Sequence, residues 1–155
     1  MSELKPGDKA PDFTLPADGD RQVSLRELQG KSVVLYFYPK DDTPGCTKEA
    51  IGFSEAIDEF DAAGAVVIGV SKDTVAKHDK FRDKHDLKVM LASDESGEVV
   101  EAYGAWVEKN MYGRTYMGIE RCTYLINSDG VIQQVWRKVR VKGHVEAVLE
   151  AVKAS

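Results

Sequence analysis

The stretch Val33–Cys46, VVLYFYPKDDTPGC, predicts a strand, a short loop and the start of a helix in direct succession. Its apolar run from Val33 to Tyr38 is nearly continuous, as expected of a strand that is covered on both faces. Thr43-Pro44 is a helix-start signal, because a threonine hydroxyl can cap free backbone N–H groups and proline is favoured at the first helical position. We therefore expect Cys46 in the first turn of a helix that follows a buried strand.

Strands and helices alternate on both sides of this stretch. The turn residues Asn127 to Gly130, between two short β-rich runs, favour a hairpin connection. This order predicts an α/β fold in which a mixed central sheet carries helices on both faces, and a thioredoxin-like arrangement fits it. Besides Val33 to Tyr38, the extended candidates are Asp12 to Leu15, Ala65 to Val70, Val89 to Ala92, Thr123 to Asn127 and Val131 to Arg137, and the helical candidates are Thr47 to Ala63, Thr74 to Lys84, Glu98 to Tyr103 and Gly143 to Lys153.

Length and charge limit the class of protein. At 155 residues the chain is long enough to bury its own core, and we expect one domain over residues 1–155. Its net charge of −5 gives no general reason to bind nucleic acid or an anionic lipid surface, so we expect small molecules or proteins as partners. The start of the chain has no apolar leader, and no apolar run approaches the roughly 20 residues that span a bilayer. These features predict a cytoplasmic protein.

The chain has two cysteines, Cys46 and Cys122, and no C-x-x-C pair, so neither a disulfide scaffold nor a zinc site is indicated. In the helix after the loop, Ala50, Phe53 and Ile57 have helical spacing, and a step of four residues back from Ala50 reaches Cys46. Its sulfur is thus expected on the core-facing side of a helix N-terminus, where the helix dipole and free N–H groups favour a thiolate. A small buried hydrophobic residue is the other interpretation of Cys46, and the residues alone leave both open.

Pro39, Thr43 and Cys46 match the pattern P-x-x-x-T/S-x-x-C of the peroxiredoxin active site. The surrounding YFYPKDDTPGCTKEA resembles the Q-type branch of that family, the bacterioferritin comigratory proteins. The likeness extends along nearly the whole chain in ordered motifs, which makes it strongly specific. These motifs are GDKAPDFTL, VIGVSKD, LASD, AYGAW, MYGRTYMGIERCTYLIN and GHVEAVL.

The resemblance implies a thioredoxin-fold thiol peroxidase that reduces hydrogen peroxide and organic hydroperoxides without a cofactor. The Cys46 thiolate would attack one peroxide oxygen, leaving a Cys46 sulfenic acid and water or an alcohol. Such a reaction needs the O–O bond to be held along the line of attack, and it needs fixed donors for the charge on the leaving oxygen. The Thr43 hydroxyl and the backbone N–H groups of Gly45 and Cys46 are candidate donors near the sulfur.

Three further residues take roles by similarity to the family. Arg121 would supply a cation that favours the thiolate and grips the peroxide, and Pro39 would shield the thiolate from water. Glu49, one helical turn after Cys46, would orient Arg121. A solvated first-turn acid, favoured by the helix dipole, is the alternative interpretation of Glu49.

A resolving cysteine, which many members of the branch use to capture the sulfenic acid as a disulfide, is missing from two common positions. Ile51 and Arg82 occupy them here. If Arg121 points toward the active site, strand alternation turns Cys122 to the opposite face of the sheet, and a disulfide needs Cα atoms within about 7 Å. We therefore expect Cys122 to be a buried structural thiol, and an external thiol such as thioredoxin, glutaredoxin or glutathione to reduce Cys46. A two-cysteine cycle through Cys122 is the alternative.

Other charged segments are expected to be solvated. His78 and His85 share one face of a probable helix but lie about 10.5 Å apart along its axis, too far for one metal ion, so we expect solvated histidines and no metal. The basic run Arg137–Lys142 is expected to be the solvated end of a strand, with a partner-docking patch as the alternative. No glycine-rich loop has nucleotide-binding spacing, so no nucleotide cofactor is expected.

Two other functions compete with peroxide reduction. A non-catalytic thioredoxin-like redox sensor or holdase would keep the fold, but it has no use for the peroxide-site residues around Cys46. A disulfide oxidoreductase fits poorly, because its usual C-x-x-C is absent. Members of the branch are often monomeric and the sequence shows no strongly apolar exposed stripe, so we expect a monomer.

Overall fold

A mixed β-sheet with helices on both faces is the frame of the molecule. The computed structural model describes residues 4–155. No helix in this part of the chain is both long and apolar enough to cross a membrane. In chain order the elements are β1 (Thr14–Ala17), β2 (Arg21–Ser24), a short 3-10 helix (Leu25–Leu28), β3 (Ser32–Phe37), α1 (Pro44–Glu55), α2 (Ile57–Ala62), β4 (Ala65–Ser71), α3 (Val75–His85), β5 (Met90–Ser93), α4 (Glu98–Ala102), β6 (Trp106–Met111), β7 (Arg114–Ile119), β8 (Cys122–Ile126), β9 (Ile132–Trp136) and α5 (His144–Ala154).

The order of the strands brings two distant parts of the chain together. Seven strands form the central sheet in the order β2-β1-β5-β4-β3-β8-β9. Within it, β3 is parallel to β4 and antiparallel to β8, and Phe37 at the end of β3 pairs with Cys122 at the start of β8. The loop after β3 and the residues before β8 are therefore neighbours at one edge of the sheet.

Alternate residues of β3 face two separate cores. Leu35 and Phe37 belong to a cluster that includes Val100 of α4, whereas Tyr36 belongs to a second cluster with Phe53 of α1. The second cluster also takes side chains from α2, α3 and α5. Helices thus cover both faces, and the predicted α/β fold with a mixed central sheet is confirmed.

The segment predicted as one helix from Thr47 to Ala63 is two helices. The first begins earlier, at Pro44, and the chain bends at Ala56 before the second begins. Both aromatic side chains of the segment remain in one core across the bend, since the rings of Phe53 and Phe60 are fully buried with their centroids 5.8 Å apart. The helical spacing predicted the buried face of this segment but not its break.

A two-stranded hairpin of β6 and β7, absent from the predicted elements, forms a sheet of its own. Its turn residues Tyr112 and Gly113 both adopt left-handed backbone angles, with φ of 53° and 77°, as in type I′ hairpin turns. The strands escape prediction because apolar and polar residues do not alternate along them. The hairpin exposes four large apolar side chains, Met111, Tyr112, Tyr116 and Met117, of which the consecutive strand residues Tyr116 and Met117 point to opposite faces.

We predict that Gly69→Ala destabilises the fold, because Gly69 of β4 pairs with Tyr36 of β3 and a Cβ atom there would lie 2.6 Å from Tyr36 Cζ. Extra volume in a packed core typically lowers the free energy of unfolding by about 1–3 kcal/mol. Urea unfolding of the purified variant measures the loss. Gly118→Ala is the matched control, since its new Cβ would meet mainly the flexible side chain of Lys109. Equal losses in the two variants would contradict the prediction.

Candidate active site

Cys46 lies in the first turn of α1, as predicted, and is only 1% exposed. It packs in the same core cluster as Tyr36 and Phe53. Thr43 is the N-cap of the helix and Pro44 its first residue. The thiol therefore combines burial with a helix N-terminus, where free N–H groups and the helix dipole favour an anion.

The guanidinium of Arg121 contacts the Cys46 sulfur. Its Nη2 donates a hydrogen bond to Sγ across 3.3 Å. Arg121 immediately precedes β8, and the pairing of β8 with β3 carries it to the loop that holds Cys46. Burial disfavours a charge on Arg121, yet the negative charges of Glu49 and Cys46 raise the pKa of Arg121 above its ordinary value. A permanent cation at this distance stabilises a thiolate at Cys46.

Gly45 makes room for this contact. A Cβ atom at position 45 would lie 3.1 Å from Arg121 Nη2, closer than about nine in ten Cβ contacts in folded proteins. A side chain at this position would therefore press on the guanidinium, whereas glycine lets it lie against the backbone of the first turn without displacement.

Glu49 holds the other side of the guanidinium. Its Oε1 accepts a hydrogen bond from Arg121 Nη1 at 2.7 Å, and the residue is fully buried one helical turn after Cys46. The alternative interpretation of Glu49 as a solvated acid is therefore wrong. Burial raises the pKa of Glu49 to about 7, against the opposing effects of the charge and hydrogen bond of Arg121. The second oxygen, Oε2, has no hydrogen-bond partner among the described residues.

Thr43 and Pro39 lie on the loop before α1, where Thr43 makes a local hydrogen bond and Pro39 is exposed. The Thr43 hydroxyl donates to the carbonyl oxygen of Lys40 at 2.9 Å and caps no helix N–H. The predicted capping bond is therefore wrong, because the nearby loop carbonyl competes for the hydroxyl. As a result, the threonine side chain leaves the N–H groups of the first turn unoccupied. Pro39 directly follows Tyr38 and is exposed, and its shielding of Cys46 stays a prediction.

Cys122 and the two positions of a missing resolving cysteine have different surroundings. Cys122 is fully buried in the cluster on the opposite face of the sheet, which confirms the predicted direction of its side chain. Burial raises the pKa of Cys122 to about 12, so its thiol stays protonated. Ile51 is half-buried on α1, and Arg82 of α3 forms a 3.0 Å ion pair with the buried Asp18.

His78 is fully buried, so the expectation of a solvated histidine is wrong for this residue. Its Nδ1 lies 2.6 Å from a carboxylate oxygen of Asp41, and its Nε2 lies 2.9 Å from the carbonyl oxygen of Ala92. The available signal was the spacing of His78 three residues before the buried Phe81, which places both on the inner face of α3. Across residues 4–155, no group of three or more His, Cys, Asp and Glu side chains could hold a metal ion.

The basic run Arg137–Lys142 lies just beyond β9. Arg137 contacts the Glu120 carboxylate at 3.5 Å, while Lys138, Arg140 and Lys142 are exposed. These positions fit the solvated strand end that the sequence predicts.

The chain is similar to the members of one family along most of its length. The model of the AhpC/TSA family matches residues 6–135. A putative peroxiredoxin bcp of Coxiella burnetii is 53% identical over 146 residues, which cover 94% of this chain and 97% of the relative. Peroxiredoxin Bcp of Bacillus subtilis is 47% identical over 147 residues, which cover 95% of this chain and 94% of the relative.

A solved structure shares the fold. The bacterioferritin comigratory protein of Xanthomonas campestris, whose structures address its alkyl peroxide reduction activity, matches with a TM-score of 0.88 at 46% identity. The match covers 92% of this chain and 90% of that chain. The thioredoxin-like fold predicted from the order of elements is confirmed by this likeness.

We predict that Glu49 makes the fold less stable as the pH rises to neutrality. Its pKa of about 7 exceeds the ordinary value of 4.5, so between these values the folded state keeps a proton that the unfolded chain has lost. The shift corresponds to a contribution of about 3 kcal/mol to the free energy of unfolding. This contribution is fully present below the pKa of Glu49 in the unfolded chain, and it is lost as the pH rises through the pKa of Glu49 in the folded protein. Urea unfolding across this range measures the loss, and the isosteric variant Glu49→Gln should lack it. Parallel stability curves for the two proteins would refute the assignment.

Proposed function

Because this chain belongs to the AhpC/TSA family and is a thiol-dependent peroxidase of the peroxiredoxin Bcp type, we propose that Cys46 is the residue that attacks the peroxide. The observation that carries this assignment is the 3.3 Å contact from Arg121 Nη2 to the Cys46 sulfur. A guanidinium at that distance favours the thiolate, which is the nucleophilic form of cysteine. At Cys122 the effect of burial exceeds that of the Arg137 charge and raises the pKa to about 12.

The proposed reaction breaks the O–O bond of the peroxide in one displacement. The Cys46 thiolate attacks one peroxide oxygen in line with the O–O bond, and the electron pair of that bond leaves with the other oxygen. The leaving oxygen takes up a proton, equivalent to the one that the thiol released, and departs as water or as an alcohol. Cys46 is oxidised to a sulfenic acid while the peroxide is reduced. The alkyl peroxide reduction activity of the Xanthomonas relative supports organic hydroperoxides as substrates beside hydrogen peroxide.

Charge on the reacting atoms is met by donors that are already in place. Arg121 stabilises the thiolate and then the charge that moves onto the leaving oxygen, and Glu49 keeps it oriented through the 2.7 Å contact at Nη1. The backbone N–H groups of Gly45 and Cys46 add two donors at the helix N-terminus. Fixed donors of this kind need no reorganisation as the charge moves.

Two loop residues complete the proposed site. The proton of the Thr43 hydroxyl is engaged with Lys40, so its oxygen is left to accept a hydrogen bond from the O–H group of the peroxide. This contact would align the O–O bond with the sulfur. Pro39, exposed at the end of β3, would limit the access of water to the thiolate.

An external thiol regenerates Cys46 in this proposal. The sulfenic acid condenses with one thiol to give a mixed disulfide and water, and a second thiol then releases Cys46 and leaves as a disulfide. The residues Ile51 and Arg82 at the usual resolving positions, and Cys122 across the sheet, support this one-cysteine cycle. Thioredoxin, glutaredoxin and glutathione all carry the required chemistry. We place the cycle in the cytoplasm, where such thiols are kept reduced.

We predict that fast oxidation by hydrogen peroxide, followed by stopped-flow tryptophan fluorescence, disappears in Cys46→Ser and persists in the matched control Cys122→Ser. Arg121→Met should slow it about a hundredfold or more, because removal of one donor to a developing charge typically costs about 10²–10³ in rate. Oxidation of the native protein no faster than that of a free thiol would instead favour a redox sensor or holdase.

The one-cysteine cycle predicts the mass of the oxidised protein. One equivalent of peroxide should add a single oxygen atom to the intact chain, and subsequent glutathione should replace it with a mixed disulfide at Cys46. Mass spectrometry of the native protein and of Cys122→Ser measures both products. Loss of two hydrogens from the native protein, absent from Cys122→Ser, would reveal a Cys46–Cys122 disulfide and favour the two-cysteine alternative.

A further inference from the structure

A buried polar cluster ties the loop before Cys46 to α3. Tyr38, Asp41, Asp73 and His78 form this group, hereafter the Asp41 cluster. Asp41 is 8% exposed although it lies in the loop, and its carboxylate accepts a 2.5 Å hydrogen bond from the Tyr38 hydroxyl and lies 2.6 Å from His78 Nδ1. Its backbone N–H donates to the Asp73 carboxylate at 2.8 Å. The loop, the end of β3 and α3 are thereby joined by polar groups buried from water.

The pair of His78 and Asp41 holds an extra proton. His78 Nε2 lies 2.9 Å from the carbonyl oxygen of Ala92, which can only accept, so Nε2 carries a hydrogen. A neutral imidazole would then present Nδ1 as an acceptor to a carboxylate oxygen 2.6 Å away. A second proton must therefore lie between Nδ1 and the Asp41 carboxylate, whichever of the two atoms it rests on.

The surroundings favour retention of this proton. Burial alone would lower the pKa of His78, but the hydrogen bond and charge of Asp41, assisted by the Ala92 carbonyl and the Asp73 charge, raise it above its ordinary value. The proton is held below that raised pKa and is lost as the pH rises through it. Within the Asp41 cluster, the other titratable groups near this pair are Tyr38 and Asp73. The remaining charged side chains that line the groove next to Asp41 are Lys40, Asp42, Lys77, Lys80 and Lys84.

The backbone of the loop adopts an uncommon conformation at Asp42, which surrounding contacts must hold. Asp42 adopts a left-handed conformation with φ of 60°, which is uncommon outside glycine. Its carboxylate contacts Lys84 at 2.7 Å and His85 at 2.9 Å, but Asp42 and Lys84 are exposed, and surface pairs of this kind hold a loop weakly. The contacts of Asp41, in contrast, are buried and are not weakened by solvent in this way.

We propose that His78 is a positioning residue for peroxide reduction: through the proton that it shares with Asp41, it holds the loop that presents Thr43 and the first turn of α1 to the substrate. The inference rests on the proposed role of Cys46. Thr43 follows Asp41 by only two positions, so displacement of Asp41 moves the hydroxyl that would align the peroxide. A shift of about 1 Å in a reacting geometry can lower a rate about a hundredfold.

The matched variants His78→Gln and His78→Asn separate the two ring contacts. The glutamine amide reaches the position of Nε2 and keeps the Ala92 contact, whereas the asparagine amide reaches the position of Nδ1 and keeps the Asp41 contact. We expect His78→Gln to lower the second-order rate of Cys46 oxidation by hydrogen peroxide about tenfold, and His78→Asn by about threefold or less. Alkylation of Cys46 by iodoacetamide reports the thiolate without a peroxide, and it should stay within about twofold in both.

The pH dependence of the peroxide rate distinguishes a positioning role of His78 from a merely structural one, which would not change with the protonation of the ring. Dividing the peroxide rate by the alkylation rate removes the ionisation of Cys46 from the profile. The ratio should fall in the native protein as the pH rises and the pair loses its proton, and His78→Asn, which has no titrating ring, should lack this fall. Glu49 titrates in both proteins, so the difference between their curves isolates His78.

The control is His85→Asn, because His85 reaches the loop only through the exposed Asp42 and should leave both rates within about twofold. The proposal would be overturned if His78→Gln reacted with peroxide as fast as the native protein, or if its peroxide rate and its alkylation rate fell by the same factor.

If circular dichroism shows that His78→Gln does not fold, Tyr38→Phe replaces it, since this variant removes the other side-chain donor to Asp41. We then expect a selective loss of about threefold in the peroxide rate, and an unchanged rate overturns the proposal. A different result would refute the proposed role of Cys46, namely the persistence of fast oxidation in Cys46→Ser.

Discussion

The site depends on one guanidinium that lies between two groups able to carry negative charge. Arg121 contacts the Cys46 sulfur with one nitrogen and the Glu49 carboxylate with another. A fully ionised Glu49 would neutralise the cation, but burial raises the pKa of Glu49 to about 7 and so favours its protonated form. Part of the attraction of the guanidinium therefore remains for the sulfur. Glu49 thus orients the guanidinium while neutralising only part of its positive charge. This requires a site without water, because burial is what raises the pKa of Glu49.

Strand register decides which side chain meets Cys46. Phe37 pairs with Cys122, and Arg121 is the residue just before that pair. Because side chains alternate along a strand, a slip of one residue would exchange the faces of Arg121 and Cys122 and remove the cation from the thiol. Because nearly every residue of β3 and β8 is buried, a slip would also force each side chain into a core that is packed for its neighbour. The packing of the sheet and the chemistry of the site thus impose the same constraint.

Local features were predictable from sequence, and contacts between distant residues were not. The strand, the loop and Cys46 in a first helical turn follow from apolar periodicity and the Thr43-Pro44 signal, which act within a few residues. Arg121 entered only through a family resemblance, since no spacing rule links residues that are 75 positions apart. Glu49 and His78 contact partners 72 and 37 positions away. The role of Glu49 therefore also entered through the resemblance, and His78 was wrongly expected to be solvated. The β6–β7 hairpin lacked the alternation that marks a strand.

The placement of the two thiols on opposite faces of the sheet bears on the proposed catalytic cycle. A resolving cysteine converts a sulfenic acid into a disulfide within the same chain. In the proposed one-cysteine cycle that step is missing, so the sulfenic acid would stay on Cys46 until an external thiol reaches it. At high peroxide, the concentration of free reductant would then decide both how often the cycle turns over and how well Cys46 is protected from further oxidation.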